Sequence, residues 1–159
     1  MQARRFINSA LVTLALAAAA CGGGDDATGP SPNPSPKPSS NVSGTYALSQ
    51  VRALGNLGGG GNGIPVTFVD GKGSQLIISG GSLSLGADGK FDLKVQTSFN
   101  GSALTLTDHG SYTASGSSIA FNSDKATPRL SPSASMSGGK VTATSKFYGA
   151  SFSIDMQKK

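Results

Sequence analysis

The side chains able to do acid–base, nucleophilic or metal chemistry are few and scattered. The 159-residue sequence has one cysteine, one histidine, eight aspartates and no glutamate. Nucleophilic catalysis needs an activated nucleophile beside a base. The single histidine, His109, follows Asp108 in "TLTDHGSY". Neighbours on a strand point to opposite faces, so the two cannot form a dyad through a regular strand. Alternation from Leu104 and Leu106 puts Asp108 inward and His109 outward. A metal site needs several Cys, His or carboxylate ligands converging, and no aspartates here have calcium-loop spacing. The expectation is therefore no enzyme, no metal and no cofactor. What remains are isolated polar groups fit to hold the polar end of a ligand: Asp108, Arg52, Arg129 and Tyr46. The stretch "LGGGGNGIP" (57–65) matches G-x-G-x-x-G at Gly58, Gly60 and Gly63. That motif needs a helix N-terminus after it to hold phosphate, whereas Pro65 and a strand-like "VTFV" follow. The stretch reads as a mobile loop, either a plain connector or a flap over an open end of the fold.

The elements that must position these groups read as strands. Glycine numbers 23, aromatics are 6% and charged residues 13%, about half the usual charged share. Glutamate, a good helix former, is absent, and Thr, Ser and Gly-rich turns that suit strands are plentiful. The formal charge is +5, and losing Arg4 and Arg5 with a leader leaves eleven basic residues against eight aspartates, +3. The lysines stand singly without aromatic interleaving, which gives no support to nucleic-acid binding. One cysteine permits no internal disulfide.

The N-terminus opens "MQARRFINSALVTLALAAAAC". Arg4 and Arg5 form a positive region, and Leu11 to Ala20 an apolar one, ending in small residues. The run is too short to span a bilayer. With Cys21 directly after Ala18-Ala19-Ala20, it resembles a bacterial lipoprotein signal with its lipobox. That resemblance implies cleavage before Cys21, a diacylglyceryl thioether on its sulfur, and an amino terminus carrying a fatty acyl group such as palmitate. Two or more chains anchor durably where one gives only marginal binding. The alternative is an ordinary secretory signal that leaves Cys21 a free thiol. Residues 21–41 follow as "GGGDDATGPSPNPSPKPSSN" and neighbours, with proline at every second position from Pro30 to Pro38. Such a composition builds no core and favours an extended polyproline-II tether. Residues 1–20 thus read as leader, 21–41 as tether and 42–159 as the folded domain. Gly22 rather than Asp after the cysteine favours the outer membrane over inner-membrane retention.

From Val42 on, alternation replaces any helical period. In "KFDLKVQTSF", Phe91, Leu93, Val95 and Phe99 share one face, with Asp92, Lys94, Gln96 and Ser98 on the other. Asp88-Gly89 and Asn100-Gly101 are hairpin signals, and "ASGSS", "SGG" and "YGA" mark further turns. Eight or nine strands joined by short turns make an antiparallel meander, which hides its edges by closing into a barrel. A two-sheet sandwich is the alternative architecture. Outward Ser, Thr, Lys and Asp argue against a transmembrane barrel. Apolar parity slips between Leu48 and Val51, and again between Ile78 and Leu83 across Gly80-Gly81. Each slip predicts a β-bulge or bend.

The runs "VSGTYALSQVRA", "GSLSLGADGKFDL", "GSYTASGSSIAF" and "SFSIDMQKK" resemble small lipocalin-like domains of bacterial lipoproteins. The likeness implies an eight- to nine-stranded barrel and passes on neither catalytic residues nor a ligand. The small residues Ala47, Gly110, Ala114, Ser117 and Ala143 read as inward and predict an incompletely filled interior. The expected function is non-enzymatic binding of a small, partly apolar ligand by a monomeric, lipid-anchored envelope protein. The alternative is a filled barrel that contacts an envelope protein or polysaccharide.

Overall fold

Alternating side chains and tight turns produce ten antiparallel strands in a computed structural model describing residues 41–61, 63–126 and 128–159. The leader, Cys21 and the tether up to residue 40 lie outside the described residues. The strands are β1 (Gly44–Leu54), β2 (Gly58–Gly59), β3 (Val66–Val69), β4 (Gln75–Leu85), β5 (Lys90–Phe99), β6 (Ser102–Ser115), β7 (Ser118–Ser123), β8 (Arg129–Ser137), β9 (Lys140–Phe147) and β10 (Ala150–Lys158). From β4 to β10 each strand pairs with the next, β10 pairs with β1, and β1 returns to β4. The result is a closed barrel of eight strands. The short strands β2 and β3 form a side ribbon on the first half of β4, where β1 has left it.

The turns use the chemistry their twist demands. Asn100-Gly101, Gly138-Gly139 and Tyr148-Gly149 are two-residue loops with both φ angles positive, at 47° and 84°, 56° and 75°, and 49° and 74°. That is the type I′ geometry whose twist matches the flanking strands. Asp88-Gly89 turns differently from a two-residue hairpin. The Gly89 amide donates to the Gly86 carbonyl and the Gly86 amide to Lys90, so the loop has four residues and Gly89 takes the left-handed position. Asp88 Oδ1 accepts from the Lys90 amide, at 3.1 Å, and fixes it.

Both predicted bulges are present. The β1–β10 ladder shifts between Leu48 and Gln50, and the β4–β5 ladder between Ile78 and Gly80. Each adds one residue, so Tyr46, Leu48 and Val51 all face inward, as do Leu76, Ile78, Leu83 and Leu85. A Cβ on Gly81 would lie 2.6 Å from the Lys94 carbonyl oxygen, so only glycine lets β4 bend this closely against β5.

The inward side chains pack into one core, including Leu83, Leu93, Ile119, Val141, Phe147, Phe152, Ile154 and Met156. Of the small residues expected to face inward, Ala143 is buried in the core and Ala114 packs against it, while the others differ. At Gly110 a Cβ would lie 2.1 Å from the Asn122 carbonyl oxygen and 3.0 Å from the Phe91 ring, so neighbours already occupy that space. Ala47 sits on the opposite parity to the buried Tyr46 and Leu48, and Ser117 lies exposed in a turn. At the end where residue 41 enters, Tyr46 is fully buried and its hydroxyl donates to the Val42 carbonyl, at 2.6 Å. A buried phenol needs such a partner. Tyr46→Phe removes the bond and keeps the shape, so a loss of about 1 kcal/mol in urea unfolding is expected.

Candidate functional site

The two ends of the barrel differ in chemistry. β1 runs from the tether end to the far end, so the turns at 86–89, 116–117 and 138–139 lie with residue 41. The segments 55–61, 63–65, 70–74, 100–101, 124–126 and 148–149 crown the other end, the mouth. Among the described residues the exposed large hydrophobic side chains are Leu54, Phe99, Leu104 and Tyr148, at 52%, 38%, 51% and 40% exposure. All of them belong to the mouth. Leu104 has the inward parity of β6, yet it stands at the strand's open start, beyond the packed interior.

The mouth holds an apolar pocket of about 180 Å³, lined by Leu57, Phe68, Leu76, Phe99, Tyr148, Ala150 and Phe152, with Asp70 and Ser74 at its rim. A run of aromatic contacts leads from core to rim. Phe152 stacks on Phe147 with centroids 4.2 Å apart and meets Phe68 edge-on at 5.2 Å. Tyr148 meets Phe147 edge-on at 6.3 Å and stacks on Phe99 at 5.2 Å. The Tyr148 hydroxyl lies 3.4 Å from Thr97 Oγ1. Asp70 accepts from the amides of Lys72 and Ser74, both at 2.8 Å. These backbone bonds hold its carboxyl below the usual range and keep a negative charge at the rim.

Tyr148 occupies an unusual place. It fills the first position of a type I′ turn, where Asn or Gly is preferred, with φ at 49°. A bulky residue with positive φ is an outlier that the surroundings must impose. Its ring is too exposed for burial to explain that strain, but it forms one wall of the pocket. The pocket is smaller than the roughly 300–1,000 Å³ usual for small-molecule sites, while a cavity of about 150 Å³ takes up benzene. It therefore fits one ring or one chain end, with the rest of a ligand outside.

The four residues expected to meet a ligand do not converge on this pocket. Asp108 is inward and fully buried, as alternation indicates. Its Oδ2 accepts from the Leu130 amide at 2.6 Å and from Ser123 Oγ at 2.8 Å. The reason lies in the wall: the β7–β8 pairing extends only over Ser118–Ala120, against Ser133–Ser135. Beyond it Asp108 reaches from β6 and supplies the acceptor that Leu130 lacks. Its Oδ1 is buried without a hydrogen-bond partner. Burial pushes the carboxyl above its usual range, against the pull of hydrogen bonds from Leu130 and Ser123.

Arg52 projects from the outer face, bonded to Gln50 and 3.6 Å from Asp155. Lys140 also approaches Asp155, at 3.6 Å, and Thr142 Oγ1 donates to it at 2.8 Å. Arg129 lines an outer groove of about 140 Å³ with Lys146, Ser131, Pro132, Thr144, Ser145 and Ser151. Tyr46 is sealed at the tether end. His109 is exposed and 3.9 Å from Asp124, on the face opposite Asp108. The glycine-rich stretch is partly pinned: Gly58 and Gly59 pair with Val69 and Phe68, and the Gly60 amide donates to Thr67 at 3.0 Å. Leu57 at its start reaches the pocket. Sequence reasoning missed Tyr148 and Leu57 as pocket residues. The signal for Tyr148 was an aromatic in "FYGA" where the turn calls for Asn or Gly.

The chain matches no family model, no curated protein and no solved structure.

Proposed function

We propose that this chain is a lipid-anchored protein of the bacterial envelope that binds the apolar end of a small ligand in its mouth pocket and catalyses no reaction. The observation that carries the reading is Tyr148, a strained and half-exposed aromatic that walls an apolar pocket. Lipocalin-like describes the barrel, and Cys21 is the proposed point of lipid attachment, with the outer membrane as the favoured location. Asp70 at the rim favours ligands whose polar end donates hydrogen bonds or carries positive charge. The test is titration with N-phenyl-1-naphthylamine, a neutral apolar fluorophore whose amine can donate to Asp70. Saturable binding that envelope lipid extract competes away supports the reading, and no binding of the probe overturns it. The packed interior favours a second reading, a rigid module that contacts an envelope protein or polysaccharide. Capture of one such partner by a surface outside the mouth, with no probe binding, selects it.

The anchor has its own test. Cys21→Ser is expected to move the protein from the membrane to the soluble envelope fraction. Unchanged partitioning of that variant contradicts attachment at Cys21.

A further inference from the structure

The mouth carries unpaired positive charge as well as exposed apolar side chains. Leu54, Ser151, Lys146 and Arg129 follow one another across β1, β10, β9 and β8 in the ladder register, forming one row beside the mouth. Lys146 and Arg129 are direct cross-strand partners. Like charges placed so are destabilising. Among the described residues neither has a carboxylate within salt-bridge distance, nor do Lys72 and Lys125 at the same end. Lys125 instead donates to Thr107, and Lys72 belongs to the 70–74 turn. The carboxylates of the mouth are Asp70 and Asp124, the latter facing His109. Four cations against two carboxylates leave this end positive. The groove between Arg129 and Lys146 also presents the hydroxyl-bearing residues Ser131, Thr144, Ser145 and Ser151.

We infer that the mouth end docks on a bilayer surface rich in anionic phospholipid, with Arg129 and Lys146 receiving a headgroup phosphate while Leu54, Phe99, Leu104 and Tyr148 enter the interface. Apolar side chains flanked by cations are the pattern that binds such surfaces, where burial and charge attraction act together. The phosphate relieves the Arg129–Lys146 repulsion, which no carboxylate among the described residues relieves. Aromatic rings such as Tyr148 suit the depth of the headgroups. This contact is separate from Cys21 anchoring, and it holds whether or not the pocket takes a ligand.

The described domain contains its own closed core, so residues 21–159 carrying Cys21→Ser can be tested without an acyl anchor. Sedimentation is measured with vesicles of phosphatidylcholine alone and of phosphatidylcholine mixed with phosphatidylglycerol. Binding to the mixed vesicles only, weakening as salt rises, is expected. The double variant Arg129→Ser/Lys146→Ser is expected to lose about thirtyfold in partitioning, roughly fivefold per cation. Phe99→Ser is expected to lower binding at every salt concentration, with circular dichroism confirming that the barrel stays folded. Inorganic phosphate at millimolar concentration should not compete; full competition would assign the groove to a free anion and overturn docking. Equal binding to both vesicle types, no binding to the mixed vesicles, or an unchanged double variant would also overturn it. So would a dimer in solution that Phe99→Ser dissociates, because the apolar tips would then serve a second copy.

Discussion

Asp108→Ala lowers the stability of the barrel by about 2–4 kcal/mol, whereas Asp108→Asn leaves it folded. Removing the carboxyl strands the buried Leu130 amide, takes the partner from Ser123, and opens a small cavity beneath a wall where β7 and β8 have parted. An unsatisfied buried donor costs about 1–3 kcal/mol, and the cavity adds to it. Asparagine keeps an oxygen for both donors. It also removes a charge that burial disfavours. Because burial raises the folded carboxyl's pKa above its ordinary 3.8, the neutral form is the one that the fold prefers. Its stabilising contribution is full below the unfolded value and is lost as pH rises through the raised folded value. Urea unfolding across that range should therefore show the wild type falling behind Asp108→Asn as pH increases, with the two similar in acid. Parallel profiles at all pH values would contradict a disfavoured buried charge.

Tyr148→Asn separates function from stability. The substitution loses the stack on Phe99, worth about 0.5–1.5 kcal/mol, and relieves an aromatic held at positive φ, worth at least about 1 kcal/mol. The two nearly cancel, so the Tm should move by no more than a few degrees. Binding of an apolar probe should fall at least tenfold, because one wall of a pocket of about 180 Å³ has gone. A structural residue would behave in the opposite way, with a lower Tm and intact binding. Retained binding in this variant would remove Tyr148 from the site.

The barrel was legible because each level of the sequence agrees with the next. Alternation in "KFDLKVQTSF" gives β5 its buried Phe91, Leu93 and Val95, and the parity slips between Leu48 and Val51 and between Ile78 and Leu83 match the bulges at Leu48/Gln50 and Ile78/Gly80. Strand pairing is periodic and local, so a linear sequence carries it. The β2–β3 ribbon was harder to see, since its pairing depends on where β1 leaves β4 and on glycines at Gly59 and Gly60 that let the backbone approach Phe68. The site was less legible still. Inward parity found Asp108 but could not show that its carboxyl repairs the β7–β8 seam. Arg52 and Arg129 were recognised as lone cations, while their partners, Asp155 for one and Lys146 for the other, come from neighbouring strands. A small residue on the inward parity suggests empty space, yet at Gly110 the Phe91 ring supplies the volume from across the ladder. Volume is a property of neighbours in space, and parity along one strand does not report it.

Under the proposed function the mouth, and not the barrel interior or the outer wall, receives the apolar ligand. Titrating the isotope-labelled protein with dodecanol, whose hydroxyl can donate at the rim, followed by amide and methyl NMR shifts, tests it directly. Saturable shifts confined to Leu57, Phe68, Leu76, Phe99, Tyr148 and Phe152 are predicted. Shifts centred on the interior around Leu83 and Leu93, shifts along the outer strands β8 to β10, or no saturable shift at all would contradict it.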